Sequence, residues 1–170
     1  MPLLRSAIRM IDGYTERCGL ALSWLCLAMT LVTCFVVLLR YGYGIGSIGG
    51  QESVTYMHAA LFMLGAAFTL KRGGHVRVDI FYRRFTARAR AWVDSVGAIL
   101  FLLPFCIFLI GSSWQFAGDA WAIREVSAES GGIPAIFLLK SLLPLMGFNL
   151  ALQGIAELLR NALALVDQTA

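Results

Sequence analysis

Apolar residues fill four stretches of the chain, Cys18 to Leu39, Ser53 to Leu70, Trp92 to about Gln115 and Pro134 to Leu158, and the polar residues gather between them. Each stretch is close to the roughly 20 residues that carry an α-helix across the hydrocarbon of a bilayer. The pattern therefore predicts an all-α integral membrane protein with four transmembrane helices. Together with short connections these spans use nearly the whole sequence, so a single membrane domain over residues 1–170 is expected, without a separate soluble core. Span 1 is longer than the apolar core of a secretory signal and three more spans follow it, so it is expected to be retained.

The connection between spans 2 and 3 has a helical period of its own. Val78, Phe81, Tyr82, Phe85, Ala89 and Trp92 recur at the spacing of one helix face, while Arg77, Arg83, Arg84, Arg88 and Arg90 project from the other. A basic amphipathic interfacial helix is predicted over about 78–91, with Asp79 paired to Arg83 one turn later. Its aromatic face would enter the membrane surface, and its arginines would meet anionic headgroups. Anionic lipids are thus the expected partner of the cluster Lys71, Arg72, Arg77, Arg83, Arg84, Arg88 and Arg90. Topology and lipid charge account for this cluster without invoking nucleic acid.

Charge then orients the bundle. Three basic residues precede span 1 (Arg5, Arg9, Arg17), seven lie between spans 2 and 3, and Arg160 follows span 4, which places eleven of the fourteen Lys and Arg on one side. The other side has Arg40 and Arg124, and Lys140 lies within span 4. The positive-inside bias predicts that both termini and the basic loop are cytoplasmic, with the loops around Gly46 and Glu125 outside. Composition agrees, since 59% hydrophobic and 14% charged residues would leave a soluble chain of this size with extensive exposed apolar patches. Cys18, Cys26, Cys34 and Cys106 fall in or beside spans and are expected to pack as small apolar residues rather than form disulfides.

Candidate chemistry is sparse. Gly44, Gly46 and Gly49 match a dinucleotide-binding spacing but follow a membrane span instead of a strand, so a flexible connection is expected there, with Glu52 or Ser53 capping the second helix. His58 and His75 do not provide paired haem ligands across a bundle, because His75 lies in a loop, and no metal-ligating cluster stands out. No nucleophile with a histidine partner is visible either, so neither a catalytic residue nor a resident cofactor is expected. Polarity within the membrane concentrates in span 4. Lys140, Pro144, Gly147, Ala151 and Gly154 share one face of mostly small residues, the expected subunit-contact face. Asn149, Gln153 and Glu157 form a second stripe. Glu157 and Arg160 are close enough to the inner surface to snorkel, whereas Asn149 needs a partner. Lys140 sits about two turns inside the outer end of its span, and Glu52 is its expected ion-pair partner, with Glu125 or Glu129 next. Pro104 and Pro144 are the expected kink positions.

The series RYGYGIGSIGGQE after span 1, KRGGHVRVDIFY after span 2 and ESGGIPAIFLLKSLLP leading into span 4 resembles the small membrane subunit of tripartite ATP-independent periplasmic (TRAP) transporters. The resemblance covers essentially the whole chain. HVRVD, from His75 to Asp79, and the Pro134, Lys140, Pro144 pattern are most similar to the mannitol and chloroaromatic type. The resemblance implies a bacterial inner-membrane system whose large membrane subunit, a separate chain, carries substrate and sodium. It also implies a soluble periplasmic substrate-binding protein as a second partner, and uptake of organic acids driven by a sodium gradient. The small subunit would brace the large one and help dock the binding protein. Two other classes of function compete with this one. A four-helix membrane enzyme acting on lipophilic substrates would need a nucleophile or activated base, and a self-assembling exporter usually places a carboxylate centrally within a span. Neither feature is found, and no inverted repeat is detectable.

Overall fold

The computed structural model describes residues 2–75, 82 and 84–167. These residues form four long helices, α1 (Pro2–Tyr43), α2 (Ile48–Lys71), α3 (Ala87–Ala122) and α4 (Ile136–Asp167), with no strand among them. All four are long and apolar enough to cross a membrane. The chain runs up and down through them. Helix α4 is the hub and packs on each of the other three, α1 and α2 form an antiparallel pair, and α3 lies mainly against α4.

Each helix outruns its apolar core. Helix α1 starts at Pro2 rather than Cys18, because its polar first third is itself amphipathic: Ile8, Thr15 and Gly19 are buried on one face, and Arg5, Arg9 and Arg17 lie off it. The glycine-rich connection is much shorter than the sequence predicts, with only Gly44–Ser47 outside helices. Ser47, not Glu52 or Ser53, caps α2, its hydroxyl accepting from the Gly50 amide at 3.1 Å. Helix α2 ends where Gly73 takes φ +63°, which lets the Gly74 amide return to the Thr69 carbonyl at 2.9 Å.

The stretch before α3 departs from the expected interfacial helix. Positions 76–81 and 83, including Arg77, Asp79 and Arg83, lie outside the described residues. Within the described ones the helix over 78–91 is interrupted: Arg84 and Phe85 form a turn, and Thr86 has extended backbone (ψ 160°) with its hydroxyl accepting from the Ala89 amide at 3.3 Å. A residue so placed starts a helix and cannot lie inside one. Ala87 to Trp92 therefore belong to the membrane helix itself, and Arg88 and Arg90 ride on its first turns.

Helix α3 contains one wide turn, Ala98–Leu102, in which the Leu103 amide reaches back five residues to the Ala98 carbonyl. Pro104 follows it. Proline has no amide hydrogen and its ring crowds the carbonyl four residues back, so a local π turn accommodates it without breaking the helix.

The interior is built from small residues. Ala67, Ala91, Ala98, Cys106, Ala117, Ala120 and Ala156 are buried, while Leu20, Trp24, Leu27, Leu31, Phe35 and Leu38 form an exposed stripe along α1. In lipid no hydrophobic gain separates these two settings, so close backbone approach decides how helices pair. Gly147 and Gly154 supply that approach between α4 and α3. A Cβ at Gly147 would fall 2.7 Å from Ile110 Cγ1, and one at Gly154 would fall 2.7 Å from Leu102 Cδ2 in the wide turn. The face expected to meet another subunit is therefore turned inward here: Pro144, Gly147 and Gly154 are all buried within the chain. Gly147→Leu and Gly154→Leu should each destabilise the isolated protein by about 1–3 kcal/mol through overpacking. Gly111→Leu, where a Cβ meets nothing within 4 Å, should cost far less. Thermal unfolding in detergent measures the difference.

Candidate functional site

Two polar clusters, one at each end of the bundle, hold the helices together. The first begins with the stripe Asn149, Gln153, Glu157 and Arg160 on α4, which faces Asp12, Tyr14 and Thr15 on α1. Gln153 is completely buried. Its carbonyl oxygen accepts from the Thr15 hydroxyl at 2.8 Å, and its amide nitrogen donates to Asp12 Oδ1 at 3.2 Å and Glu157 Oε1 at 3.3 Å. Arg160 closes the group with two bonds to Asp12, at 3.0 and 2.8 Å, and an ion pair to Glu157 at 2.5 Å. Asn149 Oδ1 accepts from the Tyr14 hydroxyl at 3.0 Å. The span 4 amides are thus not isolated, and Glu157 and Arg160 are tied to the bundle as well as lying near its end.

Helix α2 joins the same cluster through its last turn. Lys71 Nζ donates to the Asp12 carbonyl at 2.9 Å and to Glu16 Oε2 at 2.6 Å, and Arg72 pairs with the other Glu16 oxygen. Two of the seven residues in the basic cluster are therefore engaged by a carboxylate of α1. Arg84 and Arg88 are exposed.

The sequence did not single out Asp12, Thr15 and Glu16, which read as part of a polar lead-in to span 1. A signal was present: Ile8, Asp12, Thr15 and Gly19 fall at i, i+4, i+7 and i+11, so a helix continuing below the span puts them on one face. Asn149, Gln153, Glu157 and Arg160 repeat nearly the same period.

At the opposite end the structure corrects the expected Glu52–Lys140 pair. Lys140 Nζ binds Glu125 Oε2 at 2.5 Å and lies 4.2 Å from the centre of the Phe116 ring, in half-buried surroundings. Glu52 serves another purpose. From the first turns of α2 it accepts the Ser127 hydroxyl and, at 2.5 Å, the Ile133 amide, pinning the loop between α3 and α4 at two points. Gly132 makes this possible, since a Cβ there would fall 2.7 Å from Glu52 Oε1. With both its oxygens committed to the loop, Glu52 leaves Lys140 to the carboxylate that the end of α3 delivers.

That delivery depends on how α3 ends. Arg124 takes φ +49°, which turns the chain so that the Glu125 amide returns to the Ala120 carbonyl at 2.9 Å. A left-handed conformation costs a non-glycine residue about 1–2 kcal/mol. The Arg124 guanidinium stacks over Trp121 and Phe137, 5.4 and 5.5 Å from their centroids, and helps to offset this. Trp121 itself donates to Ser141 Oγ at 2.7 Å, fixing the top of α3 on α4.

Both clusters match each charge or amide with groups of the same chain, which suits them to holding geometry. Gln153→Leu should destabilise the protein by about 1–3 kcal/mol by leaving the Thr15 hydroxyl and part of Asp12 unpaired. The double change Thr15→Val with Gln153→Leu should cost less than the sum of the singles in a double-mutant cycle. At the other end, Lys140→Met alone should lower the melting temperature more than Lys140→Met combined with Glu125→Gln, because the single change strands a half-buried carboxylate.

The family described as tripartite ATP-independent periplasmic transporters, DctQ component, matches residues 29–164. A curated relative, the C4-dicarboxylate TRAP transporter small permease protein DctQ of Vibrio cholerae, is 34% identical over 89 residues, which make up 52% of this chain and 38% of that protein. The chain thus matches well under half the length of this relative. No solved structure matches it. The family match takes in the C-terminal part of α1, all of α2 and α3 and nearly all of α4, including Glu52, Glu125, Lys140 and Gln153. The chain belongs to the DctQ components of the tripartite ATP-independent periplasmic transporters, and so is a small membrane subunit of a transport system and not an enzyme.

Proposed function

We propose that this protein is the static small subunit of a sodium-coupled, binding-protein-dependent transporter that imports organic acids. It braces the large membrane subunit and forms part of the surface on which the periplasmic binding protein docks. The observation that carries this proposal is that the buried polar cluster between α1 and α4 is closed on itself. Gln153, Asp12, Thr15, Glu157 and Arg160 satisfy one another, and Glu52 is spent on its own loop. Secondary transporters that carry an ion themselves use broken helices with converging free carbonyls. Here the polar groups are occupied in bracing, as suits a fixed element beside a moving one.

The proposal places the chain in the bacterial inner membrane with both termini and Arg84 in the cytoplasm, supported by the eleven-to-two distribution of basic residues. Arg84 and Arg88 then face anionic headgroups of the inner leaflet. The pinned loop around Gly132 lies outside, where a binding protein approaches. Organic acids are favoured as cargo because the Vibrio cholerae relative is named for C4-dicarboxylates. Substrate and sodium contacts are assigned to the large subunit.

Reconstitution tests this division of labour. In liposomes with an imposed sodium gradient, the chain alone should give background uptake only. Adding the large subunit and the liganded binding protein should produce sodium-dependent accumulation that falls when the small subunit is omitted. Sodium-driven uptake by the chain alone, or undiminished uptake without it, would overturn the proposal.

A further inference from the structure

The exposed surfaces of the four helices are not equivalent. Helix α1 exposes the stripe from Leu20 to Leu38, α3 exposes Ile99, Leu100, Phe101, Phe105, Ile107 and Phe108, and α4 exposes Leu138, Leu145, Phe148, Leu152 and Ile155. Lipid can cover all of these. Helix α2 differs: its exposed residues from Gln51 onward are Gln51, Thr55, His58 and Phe62, which fall at i, i+4, i+7 and i+11 on one narrow face. Helix α2 is also less apolar than α1 or α3.

His58 is the central residue of this face. It is the eleventh of the 24 residues of α2, close to the middle of the span, and it is exposed. Its ring stacks on Phe62, with centroids 6.4 Å apart, and has no polar partner among the described residues. An imidazole at mid-depth without a hydrogen-bonding partner is costly in hydrocarbon, and such residues face protein or water. The Gln51 side chain likewise has no partner among the described residues, and it borders a groove of about 330 Å³ between α1 and α2 that also holds Thr33 and Arg40. Arg40 is exposed near the end of α1 and pairs with no carboxylate among the described residues. Cys26, Thr30, Thr33, Val37 and Arg40 form a second exposed stripe of α1, beside that of α2 and separate from the Leu20–Leu38 stripe.

From this polarity we infer that the α1–α2 face centred on His58 is the surface covered by a transmembrane helix of the large membrane subunit. The inference rests on the function proposed above and adds to it the face that docks. The chemistry of the covering helix follows from what it must satisfy: a hydrogen-bonding side chain at mid-depth opposite His58, and a carboxylate near the outer end opposite Arg40. Small hydroxyl and thiol residues at Cys26, Thr30, Thr33 and Thr55 permit close approach. The glycines of α4, which would otherwise suit this role, are already used against α3.

Photocrosslinking in the assembled transporter tests this face. A photoreactive amino acid is placed at position 55 or 58, and at 27 or 101 as lipid-facing controls, with the large subunit and binding protein co-expressed. Positions 55 and 58 should yield adducts with the large subunit and positions 27 and 101 should not. His58→Leu should weaken association with the large subunit about threefold to thirtyfold, as expected for one interhelical hydrogen bond in a membrane, and Leu27→Ala should leave it unchanged. If the complex purifies intact but positions 55 and 58 capture lipid or a second copy of this chain, or only 27 or 101 reaches the large subunit, the docking face is wrong and the proposed function stands. If no variant and no wild-type protein associates with the large subunit, both are overturned.

Discussion

An amide that is wholly buried in a membrane protein must find all its hydrogen bonds within the protein, and Gln153 shows what this constraint does to the bundle. Its oxygen takes the Thr15 hydroxyl and its nitrogen serves Asp12 and Glu157. These bonds fix α1 against α4 in rotation and in height, since a shift of one residue would leave the groups facing apolar carbon. Arg160 and Lys71 then attach to Asp12 from either side, so α4 and α2 meet on a single residue of α1. Gly19 deepens the contact by letting the Phe68 ring lie directly on the α1 backbone. Specific polar pairing thus supplies what burial of large apolar side chains supplies in a soluble bundle.

At the other end the same logic acts on a loop. Glu52 and Glu125 are both carboxylates near helix ends, but one binds a hydroxyl and a backbone amide and the other binds an ammonium. Together they convert the segment between α3 and α4 into an ordered cap. Closely fitted glycines complete it, Gly132 under the Glu52 carboxylate and Gly49 beside the Gly131 carbonyl. A subunit tied at both ends is suited to bracing a partner that moves.

The four spans, their order and the family were legible in the sequence because they depend on long-range averages: apolar length, charge asymmetry and motif series. Partner choice was not legible. Lys140 had three carboxylates within plausible reach, and the choice of Glu125 turned on the left-handed conformation of Arg124 and on Glu52 being drawn to Ile133, neither of which a periodicity reveals. The small-residue face of α4 was recognised as a contact, but its partner could not be: Gly154 meets Leu102 in the wide turn before Pro104, and Gly147 meets Ile110 and the Cys106 carbonyl further along α3. The amphipathic period after span 2 did not reveal that Thr86 starts a new helix, which puts Ala89 and Trp92 in the membrane helix instead of an interfacial one. His58 went unremarked as a functional residue, since a lone histidine acquires meaning only when the face it occupies is known.

A bracing role requires the bundle to remain rigid while the transporter works. The most direct test is the distance between spin labels at Arg17→Cys on α1 and Trp92→Cys on α3, measured in the complete reconstituted transporter with native thiols removed. Both positions are exposed and outside the polar clusters. The same distance distribution should appear in sodium alone, with the empty binding protein, and with the liganded binding protein during turnover. A shift of the distribution or a second population appearing only under transport conditions would contradict a static bracing role.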